Sequence, residues 1–92
     1  MTGHWDAQFE ALLRERLPGY PTREPLPPTA DLADLGLGSM EIIGLVTALE
    51  SEYGIYFPDE ELNLGTFATP DALWRTVTSL RDANTADKGV DA

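Results

Sequence analysis

The sequence predicts an all-α fold, a small four-helix bundle of three longer helices and one short one, with a long loop between the first two. Apolar residues recur at helical spacing in three stretches: Trp5, Phe9, Leu12 and Leu13, then Ile42, Leu45, Val46, Leu49 and Tyr53, then Leu73, Val77 and Leu80. Start and stop signals bracket these stretches, and none of the remainder reads as a strand.

The first helix is expected over about residues 5–17, with Asp6, Gln8, Glu10, Arg14 and Glu15 between its apolar positions and Pro18-Gly19 closing it. His4, the single histidine, precedes it in a segment prone to fray, so it is read as solvent-exposed and not catalytic. From Pro18 to Gly38 the chain holds five of its seven prolines and no period. Leu26, Leu32, Leu35 and Leu37 argue against a free linker, so the stretch is read as a crossover packed over the helices.

The second helix follows Gly36-Leu37-Gly38-Ser39. Glu41 lies in its first turn, where the helix dipole favours a negative charge, and Gly54 follows as the stop. Beside the Ile42 to Tyr53 face it carries another, with Met40, Ile43 and Thr47 clustered and Glu50 and Ser51 flanking. Periodicity leaves open whether Met40 and Ile43 pack under the preceding loop or face a partner. Pro58 followed by Asp59, Glu60 and Glu61 suits the start of a short helix, with proline in its first turn and Leu62-Asn63-Leu64-Gly65 ending it. Thr69-Pro70-Asp71 is the clearest start signal in the chain. The helix it opens buries Leu73, Val77 and Leu80, with Trp74 at the edge. Residues 1–92 form one domain with a core over about 5–81, and the polar stretch 82–92 is expected to be a tail without structure.

The formal charge is −10, from sixteen acids against six Lys and Arg, and from Glu24 to Trp74 there are ten acids and no Lys or Arg. Nucleic acid and anionic membranes are therefore poor partners and basic protein surfaces good ones, although acidity also serves solubility alone. Without cysteine there is no disulfide, thiolate metal site or cysteine nucleophile. No leader or membrane span is visible, so a cytoplasmic monomer is the expectation.

Chemistry of the chain's own is poorly supported. Ser39 has only His4 as a conceivable base, and no Gly-x-Ser-x-Gly elbow is present because Glu41 follows Met40. Gly36-Leu37-Gly38 meets Glu41 where a dinucleotide loop needs glycine. Asp59, Glu60 and Glu61 match no calcium loop, and there is no histidine cluster for zinc. A serine at a helix start is most simply a cap. That does not explain the glycine pair before it or the apolar side that begins at Met40. The helix start at Ser39 offers free amides and a positive dipole end that tolerate an anion, and Gly36 lets the loop before it turn.

The run Leu35-Gly36-Leu37-Gly38-Ser39-Met40-Glu41, continued through Leu49-Glu50-Ser51-Glu52-Tyr53-Gly54-Ile55 to Phe57-Pro58-Asp59-Glu60-Glu61, resembles the acyl carrier proteins without a gap. The resemblance extends more loosely from about Phe9 to Leu80. It implies the carrier family's helical bundle and covalent 4′-phosphopantetheine on Ser39, the position of the serine in the family's Asp-Ser-Leu motif. The protein would shuttle a thioester-bound acyl or aminoacyl group without being an enzyme. Its partners would be a phosphopantetheinyl transferase, an acyl- or aminoacyl-loading enzyme, and downstream synthase or tailoring enzymes. Gly38, Met40, Glu41, Ile43, Thr47 and Glu50 are the candidate partner contacts.

The chain departs from the family at Gly38 and Met40, which flank the serine in place of aspartate and leucine. It departs again at Gly44 and Ser51, where bacterial fatty-acid carriers place acids. These changes point to specialised polyketide or nonribosomal peptide biosynthesis more than to fatty-acid synthesis, with a freestanding chain as the expectation. The alternative is a cofactor-free helical interaction module with a carrier-like fold that binds a basic partner.

Overall fold

In the computed structural model, residues 5–21 and 23–91 are described, with side chains described to residue 83. Three helices, α1 (Ala7–Glu15), α2 (Ser39–Tyr53) and α3 (Pro70–Asp91), and one 3₁₀ turn (Asp59–Glu61) make up the regular structure of these residues, and none of them forms a strand. The expected fourth element is thus a single 3₁₀ turn. Pro58 is its cap and not, as expected, part of its first turn.

The α1 helix is shorter than the expected 5–17 because Asp6 caps it. Its carboxylate Oδ1 accepts the Phe9 N–H at 2.8 Å. Trp5 stays just outside the helix, donating its indole N–H to Glu10 at 2.9 Å. At the other end the backbone tightens, with Arg16 and Leu17 N–H bonding to Leu13 and Arg14 carbonyls. Leu17 is buried beyond the helix proper.

Both other helices follow the expected signals. Gly54 ends α2 in the left-handed conformation, at φ 64°. Thr69 Oγ1 accepts the Ala72 N–H at 3.1 Å, and Pro70 is the first residue of α3. This helix continues to Asp91, so residues 82–91 have helical backbone where a tail without structure was expected. Once a helix is nucleated, each further residue adds one backbone bond at little cost, and composition alone does not end it. His4 lies outside the described residues.

The core joins Phe9 and Leu13 of α1, Leu45 and Leu49 of α2, and Leu73 and Val77 of α3, all fully buried. Ile42, Val46, Tyr53, Trp74 and Leu80 pack partly buried around them. The crossover is clamped at both ends. The Arg14 guanidinium donates to the Pro21 and Glu24 carbonyls at 3.2 and 2.6 Å and stands over the Tyr20 ring. Farther along, Leu32 N–H bonds Ala68 O at 2.9 Å, and Asp71 N–H bonds Pro28 O at 3.0 Å. Leu26, Leu32 and Leu37 are buried, which makes the loop part of the core as expected.

Candidate functional site

Ser39 is delivered by a tight turn. Leu37 N–H bonds back to Leu32 O at 2.9 Å, and Gly36 makes the bend at φ 106°, a conformation that side chains disfavour. With Leu37 buried as the anchor, Gly38 and Ser39 emerge exposed. Gly38 is the helix cap and Ser39 the first helical residue, so the serine is not itself the cap. Glycine has no side chain with which to cap. Only half of the reciprocal capping pattern forms, through Glu41 Oε1, which accepts the Gly38 N–H at 3.0 Å.

This leaves an anion-ready helix start. The first bond within α2 runs from Ile42 N–H to Gly38 O, and no side chain caps the amides of Ser39, Met40 and Glu41 before it. Those three donors and the dipole face the side on which the exposed Ser39 sits. The residues present therefore fit a phosphodiester at this position. The Ser39 hydroxyl makes no hydrogen bond within the described residues.

Two surfaces spread from Ser39 along α2. Met40 is 77% exposed and Ile43 64%, so neither packs under the loop, and Thr47 is exposed beside them. The Thr47 hydroxyl is turned inward, donating to Ile43 O at 3.2 Å. An open groove of about 260 Å³ is lined by Ile42, Ile43, Val46, Thr47 and Leu62. A second hollow of about 180 Å³ continues it past Leu62 to Asn63, Leu64 and Phe67. The far wall, Leu62 and Leu64, went unrecognised in the sequence, where both leucines read only as the end of a short turn. Two leucines in an otherwise polar turn were the available signal.

The two candidate acids are less free than the sequence suggested. Glu41 is tied to Gly38, and Glu50 Oε2 accepts the Phe57 N–H at 2.9 Å, fastening the segment after α2. Among the described residues no group of three or more His, Asp or Glu stands close enough to hold a metal ion. No helix there is long and apolar enough to cross a membrane.

A family model described as "Phosphopantetheine attachment site" matches residues 8–82. Since that is most of the chain, the protein belongs to the phosphopantetheine-binding carrier family. It is a carrier domain, not an enzyme, and its cofactor is covalently attached phosphopantetheine. The group supplies the thiol that this cysteine-free chain lacks. Carriers of this kind meet a phosphopantetheinyl transferase and the enzymes that load and use the carried group.

Proposed function

We propose that Ser39 bears the phosphopantetheine and that the carried group is an acyl or aminoacyl thioester in a specialised polyketide or nonribosomal peptide pathway of the cytoplasm. The observation that carries the attachment point is the exposed Ser39 hydroxyl, at the first residue of α2 beside three uncapped amides. The pathway reading is supported by the family positions held here by Gly38, Met40, Gly44 and Ser51.

Partner enzymes meet Gly38, Met40, Ile43 and Thr47 first, because these are exposed around the serine. Glu41 and Glu50 add charge through the oxygen that each has left. An apolar tail attached to the arm can lie in the groove below Ser39. Residues 43 and 46, four and seven positions on from the serine, share its side of the helix.

Incubation with coenzyme A and a broad-specificity phosphopantetheinyl transferase, followed by intact-mass measurement, tests the attachment point. The expected result is one adduct on the wild-type chain and none on Ser39→Ala. An adduct that persists in Ser39→Ala moves the site elsewhere. Wild-type protein that takes no adduct, yet binds a basic partner in a salt-sensitive way, returns the cofactor-free module to first place.

A further inference from the structure

The geometry points to a docking edge on α2 at which Arg16 receives a carboxylate from an enzyme seated over Ser39, and this rests on the carrier reading above. Arg16 ends α1, and its guanidinium lies across α2 at Gly44. A Cβ at Gly44 would stand 2.6 Å from Arg16 Nη1 and 2.8 Å from Cζ, so the glycine is what admits the cation. Among the described residues the ion pairs are made by Arg14 and Arg75, and Arg16 is in neither. Its Nε is buried without a hydrogen-bond partner among the described residues. In a chain of net charge −10, an unpaired and partly desolvated cation is conspicuous.

Helix geometry sets what this cation borders. Gly44 is four residues from Met40 and three from Thr47, so the guanidinium abuts the exposed strip that begins at Ser39. The apolar groove borders the same strip on its other side, at Ile43 and Val46. Gly44 is about 140° around the helix from Ser39, whereas Ile43 is about 40° away. A tethered group thus runs toward the groove and away from Arg16.

A docked protein has the reach that the tether lacks. Gly44 is about 7.5 Å along the axis from Ser39, and a specific interface covers about 800 Å² per partner. An enzyme seated on the exposed strip of Met40 and Thr47, which lies between Ser39 and Gly44 around the helix, therefore reaches Arg16 as well. Part of the desolvation of Arg16 is already incurred in the free protein, and packing on Gly44 holds the side chain in place. Pairing with a carboxylate then loses less side-chain freedom than a mobile surface arginine would. The occupant of this edge is an enzyme surface with an apolar side chain for Met40 and Ile43 and an acid for Arg16.

Two amphipathic helical peptides with the same apolar stripe, one flanked by glutamates and the other by lysines, serve as probes. Each is titrated at physiological salt into the isotope-labelled full chain, following the amides of Met40, Gly44 and Thr47 and the Arg16 Nε–H. The glutamate peptide is expected to shift these signals and to bind about fivefold tighter than the lysine peptide. Arg16→Gln, checked for an unchanged fold by its spectrum, is expected to erase that preference. Gly44→Ala, which displaces the guanidinium without removing it, is expected to weaken it. Equal binding, tighter lysine binding, no binding at these signals, or a preference that survives Arg16→Gln overturns the docking edge. Failure of the wild-type chain to take the phosphopantetheine adduct sinks the carrier reading instead, and the two measurements fail independently.

Discussion

The two ends of α2 differ in how completely their chemistry is used up. At the Tyr53 end several polar side chains are partnered inside the molecule. Asp6 Oδ1 caps α1 and also accepts the Tyr53 hydroxyl at 2.7 Å, while Glu10 pairs with both Trp5 and Arg14. Phe9, Trp74 and Tyr53 pack in sequence, the first pair tilted and the second edge-to-face, with centroids 4.9 and 6.1 Å apart, and Arg81 covers the Tyr53 ring. At the Ser39 end, among the described residues, no side chain caps the amides and none bonds the hydroxyl, and Met40, Ile43, Leu62 and Leu64 are exposed. One end closes on itself, and the other leaves its donors and apolar side chains open.

The largest effect that tests this contrast is on stability. Leu49→Ala, at a fully buried position, is expected to cost about 2–5 kcal/mol, whereas Ile43→Ala on the exposed side stays within about 0.5 kcal/mol. Chemical denaturation measures both, and a comparable loss for Ile43→Ala would mean that the exposed strip belongs to the core. Next comes Gly36→Ala, which forces a side chain into the φ 106° bend before Ser39. It is expected to cost about 1–2 kcal/mol and, on the proposed attachment to Ser39, to slow phosphopantetheine transfer, with the aromatic end unchanged in its spectrum.

The smallest effect is a pH dependence at the closed end. Burial, reinforced by the hydrogen bond and charge of Asp6, holds the Tyr53 hydroxyl well above the ordinary tyrosine range. Its contribution to stability is complete below the unfolded value of about 10 and is lost as pH rises from there through the raised folded value. Tyr53→Phe is therefore expected to be less stable than wild type at about pH 8, with the gap narrowing above about pH 10. Denaturant midpoints across that window give the comparison. A gap that does not narrow would mean that burial and the Asp6 contact do not hold the proton on Tyr53.

What the sequence made legible were features with a local cause. The apolar period of α2 separated Leu45 and Leu49 from Met40 and Ile43 and marked the first pair as core, but it left open whether the second pair packs under the loop, and the fold leaves both exposed. Thr69-Pro70 and Gly54 act within one turn of themselves, so their roles were readable. The leucines of the crossover showed that the loop packs but not what holds it, because Arg14 and Ala68 reach it from elsewhere in the chain. The same reason hid Arg16. A guanidinium resting on Gly44 is a long-range contact, and glycine in a helix carries no sign of what fills the space beside it. Glu50 looked like a free surface acid because its partner, the Phe57 amide, appears only when the chain turns back after α2. Which residue caps α2 depended on one step of backbone geometry that neither glycine nor serine dictates.

Both tryptophans of this chain, Trp5 and Trp74, belong with the aromatic cluster at the Tyr53 end, about 21 Å of helix from Ser39. Intrinsic fluorescence therefore reports whether the bundle is assembled while staying dark to events at the serine. Indole emission can follow unfolding, and, on the proposed attachment to Ser39, the loss of a free thiol can follow loading in the same sample.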